Sequence, residues 1–282
     1  MRLHCGRHQI DLERPVLMGV LNVTPDSFSD GGRYFGLSEA LAQAEHLAAE
    51  GAAIIDVGGE STRPGAAAVD VDEELRRVIP VIERLAASLA VPISIDTRKP
   101  EVMRRALAAG ASMVNDVAAL AAPGAIEAVA ETDAAVCLMH MQGEPGTMQD
   151  EPRYADVVGE VRGFLRGRAE VCVAAGIARS RLVVDPGFGF GKSLEHNLSL
   201  LRGLGAIASD GLPVLAGLSR KRMIGALTGR EEGDRLAGSV AAAVIAALNG
   251  ARIIRAHDVR ETADALRIVA AFGALRDNRT WP

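Results

Sequence analysis

Aromatic residues are scarce in this chain, 3% of 282 residues, with one Trp and two Tyr. Beside 30 Gly, that poverty favours tight turns and Ala-packed helices and argues against an aromatic-rich β-sandwich. Cysteine is scarce as well. Cys5, Cys137 and Cys172 have neither the even number nor the CxxC spacing of a disulfide framework or zinc site, which predicts reduced thiols and a cytoplasmic protein. No stretch reaches the ~18 uninterrupted apolar residues of a membrane span, and the opening Met1-Arg2-Leu3-His4-Cys5 has no apolar leader, so neither a membrane partner nor a secretory signal is expected. Neither charge sign dominates: 31 Lys and Arg against 36 Asp and Glu give −5, with the basic residues scattered, which speaks against a nucleic-acid partner. HExxH, GxSxG and a strand-borne GxGxxG are missing, and Gly187–Ser193, GFGFGKS, is too short for the GxxxxGK[ST] loop of nucleotide triphosphatases.

What is present is an ordinary globular balance, 49% hydrophobic and 24% charged, arranged with a period. Short apolar runs recur at Val16–Val23, Ala53–Val57, Pro92–Ile95, Ser112–Val117, Ala134–Met139, Arg181–Val184, Pro213–Gly217 and Arg252–Ala256. Each leads through a Gly, Asp or Ser-rich break into a longer Ala, Leu, Glu and Arg segment. Continuous apolar runs suit strands buried on both faces, and eight βα units of about 30 residues predict a closed TIM (β/α)8 barrel, an open doubly wound sheet being the runner-up. In the helical segment Glu39–Glu50, the residues Leu41, Ala44, Leu47 and Ala48 share a face, and Gly51 stops it, as Gly110, Gly176 and Gly250 stop others. Leu3–Leu12 reads as a short β-hairpin around Gly6-Arg7 that would plug the amino-terminal barrel mouth. Nothing divides the chain, so residues 1–282 are expected to form a single domain. The longest loops are expected at 22–36 and 58–72, with Gly31, Gly32, Gly58 and Gly59 as hinges.

In such a barrel the chemistry sits at the carboxyl ends of the strands. Those ends read Asn22, Asp56, Asp96, Asn115 with Asp116, His140, Asp185, Ser219 with Lys221, and Arg255 with His257. One Asp after a strand ordinarily caps a helix or forms a turn, and a buried Asp–Lys cluster can simply satisfy itself. Eight polar strand ends at one mouth point instead to a ligand. A carboxylate takes two N–H bonds from an amino-pyrimidinone edge, an Asn amide serves a ring nitrogen and an amino group, and a Lys reaches a carbonyl, so a flat guanine-like or pterin-like ring fits. Arg255 and His257 suit an anion near the last strand, Arg63 one that closes over it, and Asn22 a Mg²⁺ bridging phosphate oxygens. Asp258 is placed to cap the following helix, and Cys137, inside a strand, reads as core.

The strings MGVLNVTPDSFSDGG from Met18, GAAIIDVGGESTRPGA from Gly51, PISIDTRKP from Pro92, NDV from Asn115, LMHMQGEPGTMQ from Leu138, DPGFGFGKS from Asp185, LAGLSRKRMIG from Leu215 and RAHDV from Arg255 together resemble the dihydropteroate synthase family. The resemblance covers nearly the whole barrel. It implies a homodimeric TIM barrel of folate biosynthesis, with Mg²⁺, that condenses 6-hydroxymethyl-7,8-dihydropterin pyrophosphate with 4-aminobenzoate. It further implies a pterin pocket of Asp96, Asn115, Asp185 and Lys221 lined by Met139, Gly217 and Phe190. Pyrophosphate then falls to Asn22 with the metal, Arg63, Arg255 and His257, and 4-aminobenzoate to Thr62, Pro64, Ser219, Phe28, Phe190 and Arg220. The expected mechanism is dissociative, with Asp96 and Asp30 stabilising the pterin cation and Lys221, Arg255 and His257 completing the catalytic set. Two other readings stay open: a pterin-binding methyltransferase barrel, against which the ESTRPG and SRK strings argue, and a paralogue that binds pterin without turning over.

Overall fold

The computed structural model of the protein describes residues 1–24, 32–60, 69–143, 148 and 151–276. A two-stranded antiparallel hairpin comes first, β1 (Arg2–Cys5) and β2 (His8–Asp11), with Leu3 opposite Ile10. Eight further strands follow: β3 (Val16–Asn22), β4 (Ala52–Gly58), β5 (Ile93–Asp96), β6 (Met113–Asp116), β7 (Ala135–Met139), β8 (Leu182–Asp185), β9 (Val214–Gly217) and β10 (Ala251–Ala256). They close a barrel in the order β10-β3-β4-β5-β6-β7-β8-β9, every pair parallel. The apolar runs of the sequence are these eight strands, each end within one residue. The TIM barrel therefore stands, and the open sheet does not.

Helices connect the strands: α1 (Gly32–Ala49), α2 (Val71–Ser88), α3 (Pro100–Ala108), α4 (Ala125–Ala130), α5 (Val157–Ala174), α6 (Leu194–Arg202), α7 (Leu204–Ala208), α8 (Arg222–Thr228), α9 (Leu236–Leu248) and α10 (Val259–Arg276). Their boundaries have local causes. Asp70 caps α2 by accepting from Glu73 N at 2.7 Å, Asp156 caps α5, and Ser193 with His196 forms a capping box on α6. Gly51, Gly110, Gly176 and Gly250 all have φ near +100°, the left-handed turn that ends a helix and that side chains resist. The first long loop is shorter than expected: α1 begins at Gly32, which opens the helix.

The core has two layers. Between strands and helices lie aliphatic residues such as Leu47, Ile55, Val78, Ile82 and Leu85, with Ala40 and Ala44 letting α1 approach the barrel. Inside the barrel, Met18, Ile54, Met113, Cys137, Val183, Leu215 and Ile253 meet Leu3, Cys5, Ile10 and Leu12 of the hairpin. Gly6 N donates to Asp133 O at 2.9 Å and Cys5 Sγ to Ser112 O at 3.1 Å, residues that precede β7 and β6. The hairpin thus seals the amino-terminal mouth, and the polar strand ends have the other mouth to themselves.

Candidate functional site

Parallel register carries the site residues to one rim. Asn22 lies opposite Gly58, Gly58 opposite Asp96, and Asp96 opposite Asn115; Met139 lies opposite Asp185, and Arg255 opposite Gly217. Gly58 and Gly217 keep space open there. A Cβ on Gly58 would sit 3.8 Å from Asn22 Oδ1 and 3.7 Å from Asp96 Cβ, and one on Gly217 3.8 Å from Arg255 Cβ. Gly59 serves close packing, since a Cβ there would come within 2.6 Å of Val78.

The floor of the mouth is a charged cluster. Arg255 donates through Nε to Asp56 Oδ2 and through NH2 to Asp96 Oδ2, both at 2.7 Å, while Asn115 Nδ2 donates to Asp56 Oδ2 at 3.1 Å. Asp56, Asn115 and Asp185 are buried. Oδ1 of Asp56 and Oδ1 of Asp96 are buried without a hydrogen-bond partner, which a fold tolerates poorly unless a ligand supplies the donor. Burial pushes the Asp96 carboxyl up to about 7, Arg255 pulling it back and Asp56 adding to the rise. Burial also lowers the Arg255 guanidinium, but Asp56 and Asp96 outweigh it and hold Arg255 above its ordinary range.

The opposite wall is built by the segment after β8. Asp185 Oδ1 accepts from Gly187 N at 2.7 Å; burial raises its carboxyl and Lys221 draws it down. Lys221 donates to Phe188 O and stands over the Phe190 ring, 4.3 Å from its centroid. Burial lowers the Lys221 ammonium to about 8 against the pull of Asp185. Met139 is buried at the end of β7 beside Asp185.

At the last strand, His257 N donates to Ser219 Oγ at 3.2 Å, and His257 Nδ1 lies 3.0 Å from the same oxygen. Arg220, with φ of +59°, grips both carboxylate oxygens of Asp258. Asp258 was expected to cap α10; its carboxylate is engaged by Arg220, and its backbone carbonyl accepts from Thr262 N at 3.2 Å. The structure therefore brings together Asn22, Asp96, Asn115, Asp185, Lys221, Met139, Gly217, Phe190, Ser219, Arg220, Arg255 and His257 at one end of the barrel. Phe28, Asp30, Thr62, Arg63 and Pro64, with the hinge Gly31, lie outside the described residues.

Three partnerships were not read from sequence. Asp56 was seen at a strand end, yet its grip on Arg255 spans 199 residues and has no local pattern. Asp116 does keep the ordinary role of such an Asp, accepting from Ala118 N and Leu120 N at 2.7 Å. Lys192 is buried against His140, and Lys99 bridges Glu60 to the buried Glu74. A compositional signal existed: of 31 basic residues only Lys99, Lys192 and Lys221 are Lys. None of the three is solvent-exposed, whereas the surface cations are Arg.

A family model described as pterin binding enzyme matches residues 18–257. The chain is 53% identical over 281 residues to dihydropteroate synthase of Escherichia coli (strain K12), covering 100% of both chains. It is 52% identical to that of Neisseria meningitidis serogroup B over 95% of this chain and 96% of the relative. Among solved structures it resembles Xanthomonas albilineans dihydropteroate synthase with 4-aminobenzoic acid, TM-score 0.91 at 56% identity, covering 97% of this chain and 98% of that one. It likewise resembles the Xanthomonas albilineans enzyme in complex with 7,8-dihydropteroate, TM-score 0.89 at 53% identity over 97% and 99%.

Proposed function

The chain belongs to the dihydropteroate synthase family of pterin-binding enzymes, and from that premise we propose how its own residues divide the work. The reaction joins 6-hydroxymethyl-7,8-dihydropterin pyrophosphate to 4-aminobenzoate and yields 7,8-dihydropteroate and pyrophosphate, a step of folate biosynthesis. The observation that carries the residue assignment is the acceptor-rich floor, where Asp56 and Asp96 each hold a buried oxygen without a donor beside an Asn amide and a guanidinium.

In this reading Asp96, Asn115 and Asp185 take the donors of the pterin ring, and Lys221 its carbonyl, with Met139, Gly217 and Phe190 as walls. Arg255 exchanges Asp96 for the incoming pyrophosphate, and His257 and Arg63 complete the anion site. Asn22 is exposed at the tip of β3 and offers one hard amide oxygen, a donor set that suits Mg²⁺, which keeps waters and binds phosphate oxygens. Mg²⁺ held there would neutralise charge on the pyrophosphate.

The CH₂–O bond breaks with its electron pair leaving on pyrophosphate, where Arg255 and His257 stabilise the growing charge. Asp96 and Asp30 stabilise the pterin cation that remains. The arylamine nitrogen of 4-aminobenzoate, unprotonated at pH 7, then forms the new C–N bond and sheds its proton to solvent. Thr62, Pro64, Ser219, Arg220, Phe28 and Phe190 hold that ring, and position does more here than a strong base, of which we assign none.

A second copy of the chain is the proposed partner. Leu236, Ile245 and Leu248 of α9 and Ile268 and Phe272 of α10 are exposed apolar residues on two packed helices, which supports burial in a homodimer. Three free, buried thiols support a reducing, cytoplasmic setting. The experiment that tests the assignment is pyrophosphate release from dihydropterin pyrophosphate with Mg²⁺, with and without 4-aminobenzoate, alongside chromatography for dihydropteroate. Release coupled to product is expected; saturable pterin binding without product would return the non-catalytic or methyl-transfer readings.

A further inference from the structure

Lys192 is 2% exposed behind the Gly-rich loop, and no step above uses it. Its Nζ donates to Phe190 O at 2.9 Å and His140 O at 3.3 Å, and lies 3.0 Å from His140 Nδ1. All three acceptors are neutral groups. Burial lowers the Lys192 ammonium to about 7 against the pull of Asp185. While protonated it has no lone pair, so His140 Nδ1 accepts and the ring proton rests on Nε2; burial drives that imidazole down to about 3 and keeps it neutral. Burying a cation among neutral acceptors is costly, and an apolar side chain of the same length would avoid that cost. What the ammonium supplies is three divergent donors at one point, a geometry that a planar guanidinium lacks, in a chain that otherwise prefers Arg.

Those three contacts tie the exit of β7 to the loop after β8. The loop lies flat on that exit: a Cβ on Gly187 would fall 2.0 Å from His140 O, and one on Gly191 2.2 Å from Gln142 O. Both glycines and Gly189 have positive φ, and Tyr154 Oη donates to Gly191 O at 3.0 Å on the same side. The His140 ring is braced edge-on by Phe164 at 5.0 Å. From its other side the loop presents Phe188 O and the Phe190 ring to Lys221.

We propose that Lys192 is a positioning residue for the synthase reaction, clamping residues 187–192 onto the β7 exit so that Phe190 and Lys221 are held in register for both substrates. The proposal rests on the assignment of Phe190 and Lys221 to the substrate pocket. Lys192→Met keeps the length and removes the donors. It should speed amide hydrogen exchange in residues 187–191 by about tenfold and raise KM for both 4-aminobenzoate and dihydropterin pyrophosphate by about tenfold, with kcat changed much less. Phe190→Ala, measured beside it, tests the pocket assignment by itself. Should Lys192→Met not fold, Lys192→Gln, which retains one N–H pair, is measured in the same way. Unchanged exchange, or faster exchange with KM for both substrates unchanged, overturns the proposal. A raised KM in Lys192→Met with none in Phe190→Ala removes Phe190 from the pocket and leaves Lys192 acting through Lys221.

Discussion

Arg255 donates from Nε to Asp56 Oδ2 at 2.7 Å, a bond from β10 to β4 that passes over β3 at the barrel mouth. Asp56 is wholly buried, and the same oxygen holds Asn115, so one carboxylate orients both the residue proposed for the anion and the one proposed for the pterin. Asp56→Asn keeps the shape and removes the charge. Breaking a buried pair costs about 3–5 kcal/mol when the partner is left bare; Asp96 remains beside Arg255, so a loss of roughly 2–3 kcal/mol in urea unfolding is expected. Dihydropterin pyrophosphate affinity should fall with it. A midpoint indistinguishable from the parent would mean that Asp56 contributes nothing net.

The burial of Asp96 implies a pH dependence with a definite sign. Its folded carboxyl is raised to about 7, above the ordinary unfolded value near 4. Between those values the folded protein holds a proton that the unfolded chain has released, so this group's contribution is present below pH ~4 and is lost as pH rises through ~7. His140, lowered to about 3, titrates with the opposite sign in an overlapping window, so the measurement must be a difference. Parent stability minus that of Asp96→Asn should fall between pH 4 and 7. A flat difference would mean that Asp96 is ionised throughout.

Eight strands, their carboxyl ends and the hairpin were legible because the signals are local. Val16–Asn22 or Ala135–Met139 is apolar without alternation, and Gly51 or Gly250 marks a left-handed stop within a few residues. Identities at the rim were legible for the same reason. Partnerships were not: whether Asp258 caps its own helix or takes Arg220 depends on a packing 38 residues away. The inward turn of Lys192 likewise depends on a loop laid against His140, a contact that neither segment encodes alone.

The plug at the far mouth separates stability from catalysis. Leu3 is fully buried against the barrel interior, so Leu3→Ala should cost about 2–5 kcal/mol of unfolding free energy. KM for both substrates should stay within twofold, since the site lies at the opposite ends of the strands. A matching loss of substrate affinity would show that the interior layer transmits strain from one mouth to the other.

Asp185 and Arg255 should fail in different ways. Asp185 spends one oxygen on Gly187 N, leaving the other for the proposed pterin donor, and as Asn it would present N–H groups where that assignment needs an acceptor. Two weakened charge-assisted bonds, at roughly 1.5–3 kcal/mol each, correspond to about a 100-fold or greater loss of affinity. That loss should appear with 6-hydroxymethyl-7,8-dihydropterin and with its pyrophosphate alike, because it concerns the ring. Lys221→Ala should behave the same way. Arg255→Ala should instead remove the extra affinity that the pyrophosphate confers, while the pyrophosphate-free pterin binds within about tenfold of its parent value. Calorimetry on both ligands with all three variants resolves the two patterns. Undiminished pterin binding by Asp185→Asn would remove it from the ring site, and equal loss of both ligands in Arg255→Ala would make that Arg a support of the pocket floor instead of an anion residue.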